Sequence, residues 1–334
     1  MAEKRPEVVV ITGASAGVGR ATVQRFARDG AAIALVARGE AGLEGALADV
    51  EAAGGRAIVC RADVSDHWAV DAAAARAEHE LGPIDIWINC AMVTVFGEFA
   101  QLTMDEFRRV TEVTYLGYVH GTHAALQRML ARDHGTIVQV GSALAYRGIP
   151  LQSAYCGAKH AIRGFSDAVR TELMHRESRV WLTEVHMPAL NTPQFDWCKN
   201  KMQHKSQPVP PIYQPEVAAD AIHFAAHERR RELWVGGSTA AVITGNKIMP
   251  GVGDWYLAKT GYESQQYDGP PSESERYNLW QPVDDVEDHG AHGAFDSRAT
   301  SHSVELFAAK HKGLLAAAGV GAAALALAGL LRRS

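Results

Sequence analysis

Two residues one helical turn apart, Tyr155 and Lys159, carry the clearest chemistry in the sequence. A spacing of four residues places both side chains on one face of a helix. A phenol is a poor base at neutral pH, and we expect the nearby ammonium to lower its pKa. Ser142 precedes Tyr155 by 13 residues and follows an apolar run that is typical of a strand. Its hydroxyl can stabilise charge on a substrate oxygen, so the three residues predict an acid–base centre.

A glycine-rich stretch directly after the first apolar run predicts a site for a pyrophosphate. Gly13 permits a sharp turn, Gly17 lets the backbone approach a phosphate, and Gly19 lets the following helix lie close to the strand. The free N–H groups at the start of that helix attract an anion. We expect this loop, with Ser15 and Val18, to bind a dinucleotide.

Residues at the ends of the next three apolar runs predict the contacts to adenosine. The second run ends at Arg38, where an NAD site usually has Asp or Glu. A guanidinium suits a 2′-phosphate, so Arg38 favours NADP over NAD. Asp63 can accept a hydrogen bond from the adenine amino group, with Val64 beside it, or it can cap the next helix. Asn89 closes the fourth run, where its amide can connect neighbouring strand backbones beneath the adenosine.

The alternation of short apolar runs with longer helical patterns predicts an α/β fold. Most of the runs are continuously apolar, as expected for parallel strands covered on both faces. We therefore predict a three-layer, Rossmann-like, doubly wound parallel sheet of about seven strands. The predicted strands cover 8–11, 33–37, 58–61, 84–89, 136–140, 180–186 and 233–235, and the predicted helices cover 17–29, 40–53, 67–81, 104–132, 153–176 and 215–227.

Taken together, these motifs resemble the short-chain dehydrogenase/reductase family over about residues 6–240. The resemblance implies a bound NAD(P) and a Ser–Tyr–Lys catalytic centre. It also implies that the Pro188-to-Thr192 turn contacts the nicotinamide, and that a homo-oligomer packs through the helices predicted at 104–132 and 153–176. The motifs that carry it are the glycine loop, Arg38, Asp63, Asn89-Cys90-Ala91, Ser142, Tyr155-Cys-Gly-Ala-Lys159 and Pro188 to Thr192.

The chain departs from the family pattern at three points. Cys90-Ala91 replaces the usual Ala-Gly after the fourth strand, and Ala189 replaces the Gly that usually follows Pro188. A family Asn that anchors a water to the catalytic Lys aligns with Thr114. We include Thr114 among the catalytic residues, although its single hydroxyl would hold that water less firmly.

These observations predict an NADP-dependent oxidoreductase that interconverts a carbonyl and an alcohol. Ser142 and Tyr155 would bind the substrate oxygen, Tyr155 would transfer the proton, and Lys159 would orient the ribose. One alternative is a catalytically weak, nucleotide-binding regulatory protein on the same fold. Another is an epimerase or dehydratase, which usually carries a longer sugar-nucleotide domain. We expect no metal site.

The substrate side of the predicted cleft is apolar, which favours a small apolar carbonyl or alcohol. Alternatively, the same residues simply pack beneath a lid. The segment 189–212 has several prolines and no clear period, so it is predicted to be a mobile lid. The apolar residues are Met92, Val93, Phe96, Leu144, Ile149, Leu151, Phe195 and Trp197.

Composition argues against some classes of protein. The formal net charge is −5 and no clustered basic face is evident, so we expect no nucleic-acid partner. The four cysteines include no C-x-x-C pair, which is typical of buried, reduced thiols in a cytoplasmic protein.

The C-terminal third differs from the rest of the chain. We assign residues 1–245 to the catalytic domain and 246–312 to an irregular region, with an arm over 250–282 and a looser linker over 283–303. The 19 residues of 313–331 are all Gly, Ala, Val or Leu and are flanked by basic residues. They predict a hydrophobic helix and a candidate membrane anchor, with the enzyme on the cytoplasmic face of the membrane. The alternative is an Ala-rich helix packed on the protein or between subunits.

Overall fold

The computed structural model of the chain describes residues 5–270 and 276–311. Its centre is a seven-stranded, wholly parallel sheet in the order β3-β2-β1-β4-β5-β6-β7. This confirms the predicted Rossmann-like sheet. The strands are β1 Val8–Thr12, β2 Ala32–Ala37, β3 Arg56–Arg61, β4 Ile86–Asn89, β5 Thr136–Ser142, β6 Trp181–Met187 and β7 Glu232–Trp234.

Helices cover both faces of the sheet and complete the three layers. The helix predicted at 104–132 is interrupted by a π-helical turn, Glu112–Leu116. Such turns often occur at functional sites. The α-helices are α1 Gly17–Ala27, α2 Glu40–Ala52, α3 His67–Leu81, α4 Met104–Thr111, α5 Gly117–Arg132, α6 Ser153–His175, α7 Gln194–Trp197, α8 Pro215–His227, α9 Gly237–Ile248, α10 Pro250–Thr260 and α11 Val304–Lys310.

The core lies on the two faces of the sheet because its strands are apolar throughout. All five residues of β1 and all six of β2 are buried. One apolar cluster joins the sheet to α1, α2 and α8, and the other joins it to α3, α5 and α6. The four cysteines are buried free thiols, as predicted. The order of the strands reverses between β1 and β4, so the crevice outside their carboxyl ends is where such a sheet binds ligands.

Asn89, at the end of β4, connects the sheet to α5. Its amide nitrogen donates to Gln139 Oε1 at 2.9 Å and to Thr122 Oγ1 at 3.2 Å, and Trp87 Nε1 donates to its oxygen at 2.8 Å. Apart from a long contact to the Tyr118 carbonyl, these are side-chain bonds, rather than the bonds to strand backbones that we expected. All of them are buried, so the amide holds the polar groups beneath the site in place.

We predict that Asn89→Ala lowers the free energy of unfolding by about 2–4 kcal/mol, because it leaves the Trp87 indole N–H and the Gln139 Oε1 atom buried without their partner. Urea denaturation measures the change. The control is Asn200→Ala, because Asn200 lies outside the core and bonds only within its own loop, to the His204 carbonyl and the Met202 N–H. This substitution should cost less than about 1 kcal/mol. Equal losses in the two variants would contradict the role of the buried amide.

The region after β7 is more regular than we predicted. Residues 250–260, expected to be irregular, form α10, which begins with Pro250 at its first turn. No residue of α10 is buried. A helix that buries no face needs no apolar period, and the sequence of α10 shows none.

Residues 276–300, which we call the returning segment, pack on the catalytic domain. The prediction of a looser linker over 283–303 was wrong, because Ala291 and Phe295 are buried and the Gly17 N–H donates to the Gly290 carbonyl at 3.0 Å. The predicted lid is held by the C-terminal region through short strands. Lys205–Ser206 pairs with Gln266–Tyr267, and Ile212–Tyr213 lies between Ala189–Leu190 and Ala299–Thr300.

No helix within residues 5–270 and 276–311 is long and apolar enough to cross a bilayer. The hydrophobic helix predicted at 313–331 lies outside the described residues.

Candidate active site

The turn between β1 and α1 has the geometry that its glycines predict. Gly13 has φ of +70°, a conformation that disfavours side chains, and its N–H donates to the Val36 carbonyl at 2.7 Å. A Cβ on Gly19 would lie 1.9 Å from the Gly13 carbonyl oxygen. A Cβ on Gly17 would lie 3.3 Å from Cβ of Thr192, so the turn after β6 meets the glycine turn directly. Only glycine at 19 allows α1 to start this close to β1.

Ser142, Tyr155 and Lys159 converge at the carboxyl end of β5. Ser142 ends that strand, and its hydroxyl accepts a hydrogen bond from the Leu144 N–H at 3.1 Å. Tyr155 and Lys159 lie one turn apart at the start of α6, with the lysine nitrogen 5.5 Å from the centre of the tyrosine ring. Lys159 is 2 % exposed, and all three side chains face one cavity.

The pKa of Tyr155 differs from our expectation that Lys159 lowers it. Burial raises the pKa of Tyr155 above its ordinary value, and the neighbouring Ser142 hydroxyl only partly opposes this. The phenol is therefore protonated at neutral pH and ready to donate. Burial also lowers the pKa of Lys159 to about 8.

Tyr118 is a residue of the site that the sequence reasoning missed. Lys159 Nζ donates to the Tyr118 hydroxyl at 3.0 Å and to the Val140 carbonyl at 2.7 Å, and it lies 4.6 Å from the Tyr118 ring centre. Tyr118 in turn donates to Val140 at 3.0 Å. The sequence feature that could have identified Tyr118 is its position four residues after Thr114, on the same helix face.

Thr114 lies in the π-helical turn and is fully buried. Its hydroxyl donates to the Val93 carbonyl at 2.8 Å and accepts from the Val93 N–H at 3.0 Å. It thus anchors the loop after β4. In this structure the hydrogen bonds of Lys159 go to Tyr118 and Val140 rather than to Thr114.

Arg38 and Asp63 lie at the adenosine end and are already engaged by other residues. Arg38 donates to the Trp280 carbonyl at 3.1 Å and to the Asn278 carbonyl. Burial raises the pKa of Asp63, but an ion pair with Arg109 and bonds from Ser65 outweigh it and hold that pKa below its ordinary value. Arg109, like the returning segment, could not be assigned to this site from local sequence.

One cavity of about 530 Å³ joins these parts. It runs from the glycine turn to the carboxyl end of β5, so most of the predicted site residues share a single space. Asn89 and Thr114 lie behind its wall, and the returning segment adds Asn278 and Asp284 to the lining. The predicted residues that line it are Gly13, Ser15, Gly17, Val18, Gly19, Arg38, Asp63, Val64, Ser142, Tyr155, Lys159, Pro188 and Thr192.

These residues fit NAD(P). Gly13 and Gly17 have positive φ, and the turn that they form brings the N-terminus of α1 to the cavity, as a pyrophosphate requires. When bound there, the nicotinamide supplies or accepts a hydride. Lys159 is placed to bind the adjoining ribose. Thr192 lies next to Gly17, at the part of the glycine turn that would be near the nicotinamide ring.

The substrate end of the cavity is largely apolar. Seven of the eight predicted residues line it. Leu151 does not, because it is buried against Phe96 and Cys198. Helices α9 and α10, which the sequence did not predict, contribute Val242, Tyr256 and Leu257.

Comparisons with known proteins agree with this geometry. A family model described as short chain dehydrogenase matches residues 7–200. An uncharacterized oxidoreductase, YxnA of Bacillus subtilis, is 31 % identical over 86 % of this chain and 81 % of its own length. A probable oxidoreductase, EphD of Mycobacterium tuberculosis, is 41 % identical over 73 % of this chain, which spans only 43 % of that protein. A 3-dehydrosphinganine reductase of Danio rerio is 33 % identical over 56 % of this chain and 57 % of its own length.

A solved structure shows the same fold with a cofactor analogue. It is an alcohol dehydrogenase from the archaeon Thermococcus sibiricus complexed with 5-hydroxy-NADP. The TM-score is 0.59 at 26 % identity, and the alignment covers 69 % of this chain and 96 % of that one. On the family match, the sheet order and the geometry of the site, this chain belongs to the short-chain dehydrogenase family and is an oxidoreductase.

Proposed function

We propose that the chain interconverts a carbonyl and an alcohol on an apolar substrate, with NADP as cofactor and Tyr155 as acid and base. The observation that carries this proposal is the single cavity in which the glycine turn, Ser142, Tyr155 and Lys159 meet.

The reaction assigns one task to each side chain. The Ser142 and Tyr155 hydroxyls bind the substrate oxygen, and Tyr155 gives its proton to that oxygen during reduction. Because burial keeps the phenol protonated, Tyr155 is in the right state for this direction. Lys159 stabilises the phenolate that remains, and the Tyr118 hydroxyl and Val140 carbonyl hold the lysine in place. The participation of Thr114 in proton exchange stays a prediction.

NADP is supported by Arg38 and by the analogue bound to the archaeal relative. Arg38 directly follows β2 beside the adenosine part of the cavity, and its half-buried guanidinium is held by two backbone carbonyls. A fixed guanidinium loses little entropy when it binds a phosphate.

An apolar substrate is supported by the lining of the cavity beyond Ser142 and Tyr155. The relative from Danio rerio is named as the reductase of a keto compound, 3-dehydrosphinganine. We propose the same reaction class here, carbonyl reduction, without assigning that substrate.

A screen of apolar ketones, aldehydes and quinones tests the function. We expect NADPH consumption with at least one class, and no consumption with the Tyr155→Phe variant. Binding of NADPH without turnover on any substrate would contradict the enzyme assignment and favour the alternative, a nucleotide-binding regulatory protein.

The rate of reduction should fall as the pH rises through about 8, the pKa of Lys159. Below this pH the ammonium is present and stabilises the phenolate. Above it the charge is lost, and the rate should fall by about tenfold per pH unit if the charge is required. A pH profile of kcat/KM measures this. Lys159→Arg keeps its charge, so its remaining activity should show no such decline, and a decline at the same pH in this variant would refute the assignment.

The oligomeric state of the chain and its attachment to a membrane stay predictions. We propose a homo-oligomer that packs through α4, α5 and α6, and attachment to a membrane through 313–331. Release of the full chain from membranes by a carbonate wash would contradict the attachment.

A further inference from the structure

The returning segment forms the outer wall of the adenosine end of the cavity. Three of its contacts attach it to the glycine turn, α1 and α2. The Gly17 N–H donates to the Gly290 carbonyl at 3.0 Å, the Gly42 N–H donates to the Asp284 carbonyl at 3.0 Å, and Arg20 pairs with Asp288 at 3.0 Å. The segment thus covers this end, and Asn278 and Asp284 are among the residues that line the cavity.

The Asp284 carboxylate lies over the turn between β2 and α2. A Cβ on Gly39 would lie 1.9 Å from its Oδ1, and a Cβ on Gly42 would lie 2.6 Å from its Oδ2 and 2.9 Å from Cβ of Ser15. The carboxylate therefore fills the space that these two glycines leave empty, at the N-terminus of α2, where a negative charge is favourable. Asp284 is only 6 % exposed.

This position is where the second strand of a dinucleotide-binding sheet meets the adenosine ribose. In this chain that strand is followed directly by a basic residue, Arg38. An acidic group reaches the same place from a part of the chain more than two hundred residues away.

We propose that Asp284 determines cofactor selectivity by accepting a hydrogen bond from the 2′-hydroxyl of an unphosphorylated adenosine ribose, in opposition to Arg38. This inference rests on the proposed dinucleotide-dependent function. A 2′-phosphate carries about −1.5 to −2 charges at neutral pH, as phosphate monoesters do, and has no hydroxyl at that position to donate. Asp284 therefore repels NADP and attracts NAD, while Arg38 does the reverse, so the chain accepts both cofactors.

The charges around this site support the opposition. Arg38 is 3.8 Å from Asp63, and the carboxylates of Asp63 and Asp284 both act on its guanidinium. Its two donor nitrogens are also directed at the carbonyls of Asn278 and Trp280, on the returning segment. A 2′-phosphate must compete with these acceptors for the Arg38 guanidinium. A ribose 2′-hydroxyl can bind to Asp284 without any contact to Arg38.

Cofactor binding to the full-length chain tests the proposal without any substrate. The dissociation constants of NAD and NADP are measured by calorimetry for the wild type and for Asp284→Asn. We expect the wild type to bind both, and the ratio Kd(NAD)/Kd(NADP) to rise at least tenfold in the variant. Asp284→Ser, which also removes the charge, should shift the ratio the same way and serves if the first variant is poorly folded.

Asp285→Asn is the matched control. Asp285 carries the same charge one residue further along, but it pairs with Arg61 at 2.8 Å and does not line the cavity. Its removal should change the ratio less than twofold. An unchanged ratio in both Asp284 variants, or an equal shift in Asp285→Asn, overturns the proposal. If the wild type binds neither dinucleotide, the proposed function itself fails.

Discussion

Replacement of Tyr155 by Phe should reduce the rate of carbonyl reduction by at least about a thousandfold and leave dinucleotide affinity within about twofold. The variant removes only the hydroxyl that donates the proton. The phenyl ring still fills its position beside Ser142, and Lys159 keeps its bonds to Tyr118 and Val140. The loss should therefore appear in turnover and not in cofactor binding.

Single-turnover rates and fluorescence titration with NADPH separate the two effects. Tyr262→Phe is the control, because the Tyr262 hydroxyl makes an exposed bond to Glu98 outside the cavity. Its rate should stay within about twofold of the wild type. A Tyr155→Phe variant with near-normal turnover would show that another group supplies the proton.

Gly19→Ala should weaken dinucleotide binding by at least about a hundredfold, or lower the stability by several kcal/mol. The added methyl would lie 1.9 Å from the Gly13 carbonyl oxygen and 2.6 Å from its carbon. Both are backbone atoms, so the clash can be relieved only by moving α1 away from β1. That movement displaces the N–H groups that would bind the pyrophosphate.

Gly245→Ala, in α9, is the control for the same chemical change. A Cβ there meets no heavy atom within 4 Å, and the position is exposed. Alanine in an exposed helix is favoured over glycine, so binding should be unchanged and stability equal or higher by up to about 1 kcal/mol. Calorimetric titration and thermal melting measure both variants. Gly19→Ala with wild-type affinity and melting temperature would contradict the close packing of the turn.

The sheet and the catalytic residues could be predicted because their signals are local. Buried parallel strands need continuously apolar runs, and the seven runs in the sequence correspond to the seven strands, with ends that differ by at most two residues. The glycine turn and the Tyr155–Lys159 pair depend on spacing within one turn or one helix. Sequence alone therefore placed them correctly relative to their elements.

The rest of the site depends on contacts between distant parts of the chain. Arg109 reaches Asp63 from another helix, and Asp284 reaches the β2–α2 turn from the returning segment. Their residue types gave no hint of a partner. The helix α10 was missed for another reason: its exposed side chains follow no apolar period.

The pKa of Tyr155 shows where reasoning from residue types fails. A lysine one turn away predicts a lowered pKa, but burial raises the pKa of Tyr155 and the Ser142 hydroxyl only partly opposes this. The degree of burial depends on how distant parts of the chain pack around the ring, which local sequence does not reveal.

Transfer of deuterium tests the central claim most directly. The wild-type chain is incubated with NADPH that carries deuterium at both C4 positions, together with the panel of apolar ketones and aldehydes, and the alcohols are analysed by mass spectrometry. We predict an alcohol that carries one deuterium on its carbinol carbon, and none with Tyr155→Phe. Tight binding of the labelled cofactor, with no deuterium in any product, would contradict the account.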